Sequence, residues 1–108
     1  MTEMGNSDSL TIDRDVDGVI VVHGDMDVAG GPILEAAIRE RENDGPVVID
    51  LGDVFFIDSS GLRSLLGASR RARDRNSTVV LRDVSSEVLR LLEITGTTEQ
   101  FSIDNGRG

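Results

Sequence analysis

The chain has 108 residues, about the size of one domain, and a compact chain of this length buries roughly two-thirds of the surface that it exposes when unfolded. It contains no cysteine, which excludes disulfides and cysteine zinc sites, so a hydrophobic core must hold the fold together and a reducing, cytoplasmic setting is expected. A formal net charge of -9 and an aromatic content of three phenylalanines argue against nucleic acid and anionic membranes, so a protein partner is expected.

One domain is predicted between two polar ends. Residues 1–8 and 105–108 offer no apolar run to bury, so both are expected to be flexible tails around a domain over residues 9–104. The N-terminal stretch has no basic region followed by an apolar one, so no signal peptide is expected. The longest apolar runs are far shorter than the roughly 20 residues of a membrane-spanning helix.

Two strands are predicted first. Leu10, Ile12 and Val16 lie at even spacing, which indicates a strand with one buried face, and the Asp-Gly pair at 17–18 favours a tight hairpin turn. Residues 19–23 follow as an unbroken run of mainly β-branched residues. This run predicts a strand buried on both faces, as in the middle of a sheet covered by helices.

A helix and a second inner strand come next. Pro32 favours a helix start because proline has no amide hydrogen to lose there, and residues 33–38 supply the apolar stripe. Turn residues at 43–46 end this helix, and residues 47–51 are a buried strand.

The second half repeats this alternation. An apolar segment at 54–57 leads into a helix that ends near residues 76–77, and residues 78–81 form a third inner strand. A last helix ends near Gly96, and a short edge strand is expected around residues 101–103. The prediction is an α/β fold with a mixed sheet, parallel in its centre, in the order β-β-α-β-α-β-α with a short closing strand.

Residues 13–18 imitate the first half of a calcium-binding loop, with carboxylates at alternate positions before a glycine. The twelfth position of such a loop is Gly24 here, where a bidentate glutamate is needed, and the flanks read as strands instead of helices. An exposed strand face entering a hairpin is the preferred interpretation, and no metal is expected.

The sequence gives little support for a catalytic site. His23 is the only histidine, and a residue at the end of a buried strand is more often packed or hydrogen-bonded than catalytic. The residue two before Ser59 is Ile57, where a nucleophile elbow has glycine. The chain has no lysine, so it lacks both a Walker loop and the cation of a receiver domain. Neither an enzyme nor a cofactor is expected.

The segment Asp-Ser-Ser-Gly-Leu at 58–62 is the strongest candidate site. It follows the apolar segment and opens an amphipathic helix, so its hydroxyls stand at the carboxyl edge of the sheet, where open α/β folds usually bind ligands. Asp58 or Ser59 can also cap the helix, which is worth ~1 kcal/mol. The two interpretations are compatible, because a serine that helps to start a helix can remain exposed to a kinase.

Three segments, 24–27, 47–51 and above all Phe-Ile-Asp-Ser-Ser-Gly-Leu at 56–62, resemble the STAS domains of anti-sigma factor antagonists. The resemblance extends from Leu10 to Ile103 with matching spacing. It implies a single STAS domain that binds an anti-sigma factor with serine kinase activity, releases it on phosphorylation, and so regulates sigma-dependent transcription.

The resemblance also implies roles for individual residues. Ser59 matches the serine that the anti-sigma kinase phosphorylates and that a phosphatase resets, and Asp58 matches the residue that positions this serine. The implied partner-binding or supporting residues are Gly24, Asp25, Asp27, Asp58, Ser60, Gly61 and Leu62. One departure lies at 29–32, where Ala-Gly-Gly-Pro replaces the usual Thr-Ala pair and is expected to loosen the start of the first helix.

A non-switching STAS module is the alternative. Such a module would be a scaffold in a stress-signalling complex or a soluble subunit of a lipid transporter, and it would keep the fold. Whether the protein accepts phosphate from an anti-sigma kinase distinguishes the phosphorylation switch from the non-switching module.

Overall fold

The computed structural model describes residues 10–15, 17–41 and 45–105. The predicted tail at 1–8, residues 106–108 of the predicted C-terminal tail, Val16, and turn residues Asn43 and Asp44 lie outside these ranges. Asn105, the first residue of the predicted C-terminal tail, is described, and its side-chain oxygen accepts a hydrogen bond from the Val84 amide at 3.0 Å.

The order of secondary structure confirms the predicted alternation of strands and helices. The described residues form β1 (Thr11–Arg14), β2 (Ile20–His23), α1 (Gly30–Arg41), β3 (Val47–Asp53), α2 (Ser59–Asp74), β4 (Val79–Arg82), α3 (Ser86–Thr95) and β5 (Ser102–Asp104). One turn of 3-10 helix, Thr98–Gln100, precedes β5. The closing strand therefore forms at the predicted place, and α1 begins two residues before Pro32.

The strands lie side by side in chain order, β1-β2-β3-β4-β5. β1 is antiparallel to β2, and the pairs β2–β3, β3–β4 and β4–β5 are parallel, which confirms the mixed sheet with a parallel centre. Parallel neighbours need a crossover connection, and α1, α2 and α3 each lie in one. The carboxyl ends of β2 to β5 consequently meet at one edge of the sheet.

The β1–β2 hairpin uses an acidic residue of the calcium-like segment for turn formation. One Asp15 carboxylate oxygen accepts hydrogen bonds from the amides of Asp17 at 2.8 Å and Val19 at 3.0 Å. Gly18 has φ 82°, in the left-handed region that a glycine adopts without strain. The observed hairpin agrees with the preferred interpretation of this segment.

The core lies on one face of the sheet. Ile20 and Val22 of β2 are fully buried, whereas Val21 between them is only half-buried, so the prediction that β2 is buried on both faces is wrong. Leu65 of α2 and Leu92 of α3 belong to the same buried cluster as these two strand residues. Because the helices direct their apolar stripes at a single face, alternate residues along each inner strand remain partly accessible.

Candidate functional site

Ser59 is the first residue of α2 and lies at the carboxyl edge of the sheet, six residues after the end of β3. The residue is exposed, and its hydroxyl makes no hydrogen bond with any residue in the described ranges. Ser60 is half-buried. The structure therefore leaves the Ser59 hydroxyl accessible from solvent.

Asp58 caps α2. Its backbone is extended (φ -110°, ψ -172°), and its carboxylate accepts hydrogen bonds from the amides of Ser60 at 2.8 Å and Gly61 at 3.1 Å. Its carbonyl oxygen accepts from the Leu62 amide at 3.0 Å. Of the two capping residues that the sequence left open, Asp58 is the one used. A carboxylate next to the positive end of the helix dipole is favourable. Because Asp58 caps the helix, the Ser59 hydroxyl is not needed as a cap.

The 24–27 loop is tied directly to the start of α2. Met26 is fully buried and forms an isolated parallel bridge with Ile57. The Met26 amide donates to the Phe56 carbonyl oxygen at 3.0 Å, and the Met26 carbonyl oxygen accepts from the Asp58 amide at 3.1 Å. The backbone thus brings together two segments about 30 residues apart in the chain, and Asp25 and Asp27 lie on either side of Met26.

Gly61 allows this close approach. A Cβ atom at position 61 would lie 2.3 Å from the Met26 carbonyl oxygen, far inside van der Waals contact. Leu62, the next residue, points into the core with only 9% of its surface exposed. Gly61 and Leu62 therefore support the site from inside, and neither adds to its exposed surface.

The start of α1 is held by the same loop. The Asp27 carboxylate accepts hydrogen bonds from the amides of Ala29 at 3.1 Å and Gly30 at 2.9 Å. A Cβ on Gly30 would lie 2.5 Å from the Asp25 carbonyl oxygen, and one on Gly31 would lie 3.1 Å from the Ser64 hydroxyl. The glycine pair lets α1 pack closely against the loop and α2, and the looser helix start expected at 29–32 stays a prediction.

Three exposed apolar side chains, which the sequence patterns did not assign to the site, lie just before the serine motif in the chain or just after the 24–27 loop. Phe55 and Phe56 are 59% and 49% exposed, and Val28, just after the 24–27 loop, is 71% exposed. Phe55 and Phe56 line a groove with Leu91 and Ile94 of α3. The two adjacent phenylalanines before the serine motif could have predicted an exposed aromatic side chain. Neighbouring residues in an extended segment point to opposite sides, so at most one of the two can face the core.

His23 ends β2 and is hydrogen-bonded between two carboxylates, as the sequence favoured. Its Nδ1 lies 2.7 Å from Asp53 Oδ2 and its Nε2 lies 3.1 Å from Asp13 Oδ2. The hydrogen bond to Asp53 raises the pKa of His23 above its ordinary value of 6.5, partial desolvation opposes this, and the bond to Asp13 adds to it. The cluster joins three neighbouring strands, β1, β2 and β3.

Within residues 10–15, 17–41 and 45–105, no group of three or more histidine, cysteine, aspartate or glutamate side chains has the arrangement of a metal site. In the same part of the chain, no helix is both long and apolar enough to cross a bilayer.

Known proteins of similar sequence and fold agree on one family. The family model described as "Mlab, STAS domain" matches residues 10–102. An anti-sigma-B factor antagonist of Listeria monocytogenes is 36% identical over 99 residues, covering 89% of this chain and 87% of the relative.

Solved structures show the same architecture. An anti-sigma factor antagonist from Mycobacterium paratuberculosis has a TM-score of 0.71 at 30% identity, covering 96% of this chain and 92% of that one. The anti-sigma factor antagonist SpoIIAA in its unphosphorylated form has a TM-score of 0.64 at 14% identity, covering 90% and 88% of the two chains, which is a likeness of fold. From these matches and from its own fold, the chain belongs to the STAS-domain family of anti-sigma factor antagonists.

Proposed function

We propose that this chain binds an anti-sigma factor with serine kinase activity while Ser59 is unphosphorylated, and releases it when Ser59 is phosphorylated. Release of the antagonist returns the anti-sigma factor to its sigma factor, so the phosphate state controls transcription. The accessible Ser59 hydroxyl, free of any hydrogen bond within the described residues, is the observation that carries this proposal. SpoIIAA, an anti-sigma factor antagonist of the same fold, has an unphosphorylated form, which supports such a switch.

The surface around Ser59 suits a protein partner. The exposed side chains of Val28, Phe55 and Phe56 offer apolar area of the kind that protein interfaces bury. The bridge between Met26 and Ile57 holds the 24–27 loop beside the serine, so Gly24, Asp25 and Asp27 belong to the same face. A partner that docks here covers the serine and the loop together.

Phosphorylation is expected to affect binding more than folding. It adds about 1.5–2 negative charges at pH 7. The Asp58 carboxylate accepts the hydrogen bonds that cap α2, so a phosphate on Ser59 displaces none of them. At the interface, a phosphate opposite a surface made for a hydroxyl costs desolvation and repulsion, and about 2–3 kcal/mol of lost binding weakens affinity roughly 30- to 150-fold.

In this function the chain is a regulatory binding protein of the cytoplasm that needs no catalytic residue, cofactor, nucleic acid or membrane partner. Asp58, Ser60, Gly61 and Leu62 act by holding Ser59 and the loop in place. A phosphatase that removes phosphate from Ser59 completes the cycle.

The test is phosphorylation by an anti-sigma kinase from the same genome. Purified protein is incubated with kinase and ATP, and phosphopeptide mass spectrometry locates the phosphate, with Ser59→Ala and Ser60→Ala as paired variants. We expect phosphate on the wild type and on Ser60→Ala, and none on Ser59→Ala. Phosphate on Ser60, or no phosphate with any cognate kinase, would overturn the proposal and favour a non-switching STAS module.

A further inference from the structure

Arg63 lies one helical turn after Ser59. Residues four apart in an α-helix lie on the same face, with Cβ atoms about 5–6 Å apart. Both side chains are exposed, and Arg63 makes no hydrogen bond or ion pair with any residue in the described ranges. In contrast, Arg71 on the same helix lies 3.9 Å from Glu35, and Arg73 is bonded to Ser69 and Gln100.

A phosphate on Ser59 would find three first-turn amides already occupied, and only the amide of Ser59 itself has no partner among the described residues. The amides of Ser60 and Gly61 donate to the Asp58 carboxylate, and the Leu62 amide donates to the Asp58 carbonyl oxygen. The phosphate would also stand beside the negative charge of Asp58. A positively charged side chain close to Ser59 would therefore stabilise the phosphorylated state.

Arg63 is available to supply that charge. It lines a shallow groove between α1 and α2 together with Glu35, Ser60 and Ser64. Glu35, the acidic residue of this groove, is already within 3.3 Å of Arg39. Nothing within the described contacts holds the Arg63 guanidinium in place, so it is free to move toward Ser59.

We propose that Arg63 is the counter-charge of phospho-Ser59, forming an ion pair along the first turn of α2 once the phosphate is attached. This inference rests on the proposed function, because it concerns the phosphorylated form of the same serine. Guanidinium groups bind phosphate through paired, charge-assisted hydrogen bonds, which suits this pairing.

The pairing changes the docking surface in two ways at once. Phosphorylation adds negative charge at Ser59, and it also engages a cation that the unphosphorylated surface offers to a partner. The helix start is preserved, because Arg63 offsets part of the phosphate charge on the outside of α2 while Asp58 keeps its capping bonds.

The experiment uses full-length protein carrying phosphoserine at position 59, incorporated during translation so that no kinase is needed. Phosphorus NMR follows the titration of the phosphate in the otherwise wild-type chain and in Arg63→Gln, Arg63→Lys and Arg70→Gln. Arg70 is the matched control, because it is also an exposed arginine of α2 but lies 11 residues from Ser59, about 16 Å along the axis.

We expect Arg63→Gln to raise the second pKa of the phosphate by about 0.2–0.4 units. Arg63→Lys should restore most of the difference, and Arg70→Gln should leave the pKa unchanged. Equal values for wild type and Arg63→Gln, or equal shifts from Arg63→Gln and Arg70→Gln, would overturn the pairing. The phosphate is introduced without a kinase. A failure of the Arg63 pairing can therefore be distinguished from a failure of the proposed function, in which no kinase would modify Ser59.

Discussion

Replacement of Gly61 by alanine tests whether the close approach of the 24–27 loop to α2 determines stability. The new Cβ would lie 2.3 Å from the Met26 carbonyl oxygen and 2.8 Å from the Met26 Cβ. Met26 is fully buried and bonded to Phe56 and Asp58, so it cannot withdraw without breaking the bridge. We expect the loop and the helix to separate.

The magnitude follows from two opposing effects. Overpacking in a close-packed interior costs about 1–3 kcal/mol, while alanine in place of glycine within a helix returns roughly 0.5–1 kcal/mol. Taking the middle of both ranges, the expected net loss in the free energy of unfolding is about 1 kcal/mol. For a domain of this size that corresponds to a fall in Tm of about 4–8 °C.

Gly67 on the same helix provides the matched control. A Cβ at Gly67 would have only the Arg71 Nη1 near it, at 3.5 Å, which is ordinary van der Waals contact. Gly67→Ala should therefore stabilise the protein by up to about 1 kcal/mol from helix propensity alone. Urea denaturation of wild type, Gly61→Ala and Gly67→Ala measures all three. A midpoint for Gly61→Ala equal to or above the wild-type value would refute the reasoning.

Three further predictions concern the site and its neighbours. Ser59→Ala should bind the anti-sigma factor constitutively and Ser59→Asp at least tenfold more weakly, both folded; equal affinities in titration calorimetry would contradict the switch. Asp58→Ala should lower the free energy of unfolding by ~1 kcal/mol because two amides lose their acceptor, while Asp58→Asn should lose less, as measured by urea denaturation. The raised pKa of His23 should make wild type more stable than His23→Gln below pH 6.5, with the advantage disappearing as pH rises through the folded-state pKa; a pH-independent difference would contradict this.

Much of the fold was predictable because its signals are local. Helical and alternating periodicities located the helices and strands, and Gly96 ended α3 with φ 70° as a C-terminal glycine should. The position of Ser59 at the carboxyl edge also followed from element order, since parallel strands with helical crossovers place all their carboxyl ends together.

Other features depended on contacts between distant segments. The sequence could not choose between Asp58 and Ser59 as the cap, because both residue types cap helices equally well and the choice depends on the backbone angles that the Met26 bridge imposes. The sequence also could not predict that the glycines at 30 and 31 allow close packing, because the atoms that a Cβ would contact belong to the preceding loop and to α2.

The sequence alone determined the order of the elements, the start of α2 at the serine motif and the family, because each is written in short-range patterns of residue type. The tertiary structure decided which face of the sheet is buried, that Asp58 bears the capping bonds, and that Ser59 and the phenylalanines before it stay exposed. The physical reason is that burial and hydrogen-bond partners depend on which segments come into contact, and these contacts form only when the whole core packs.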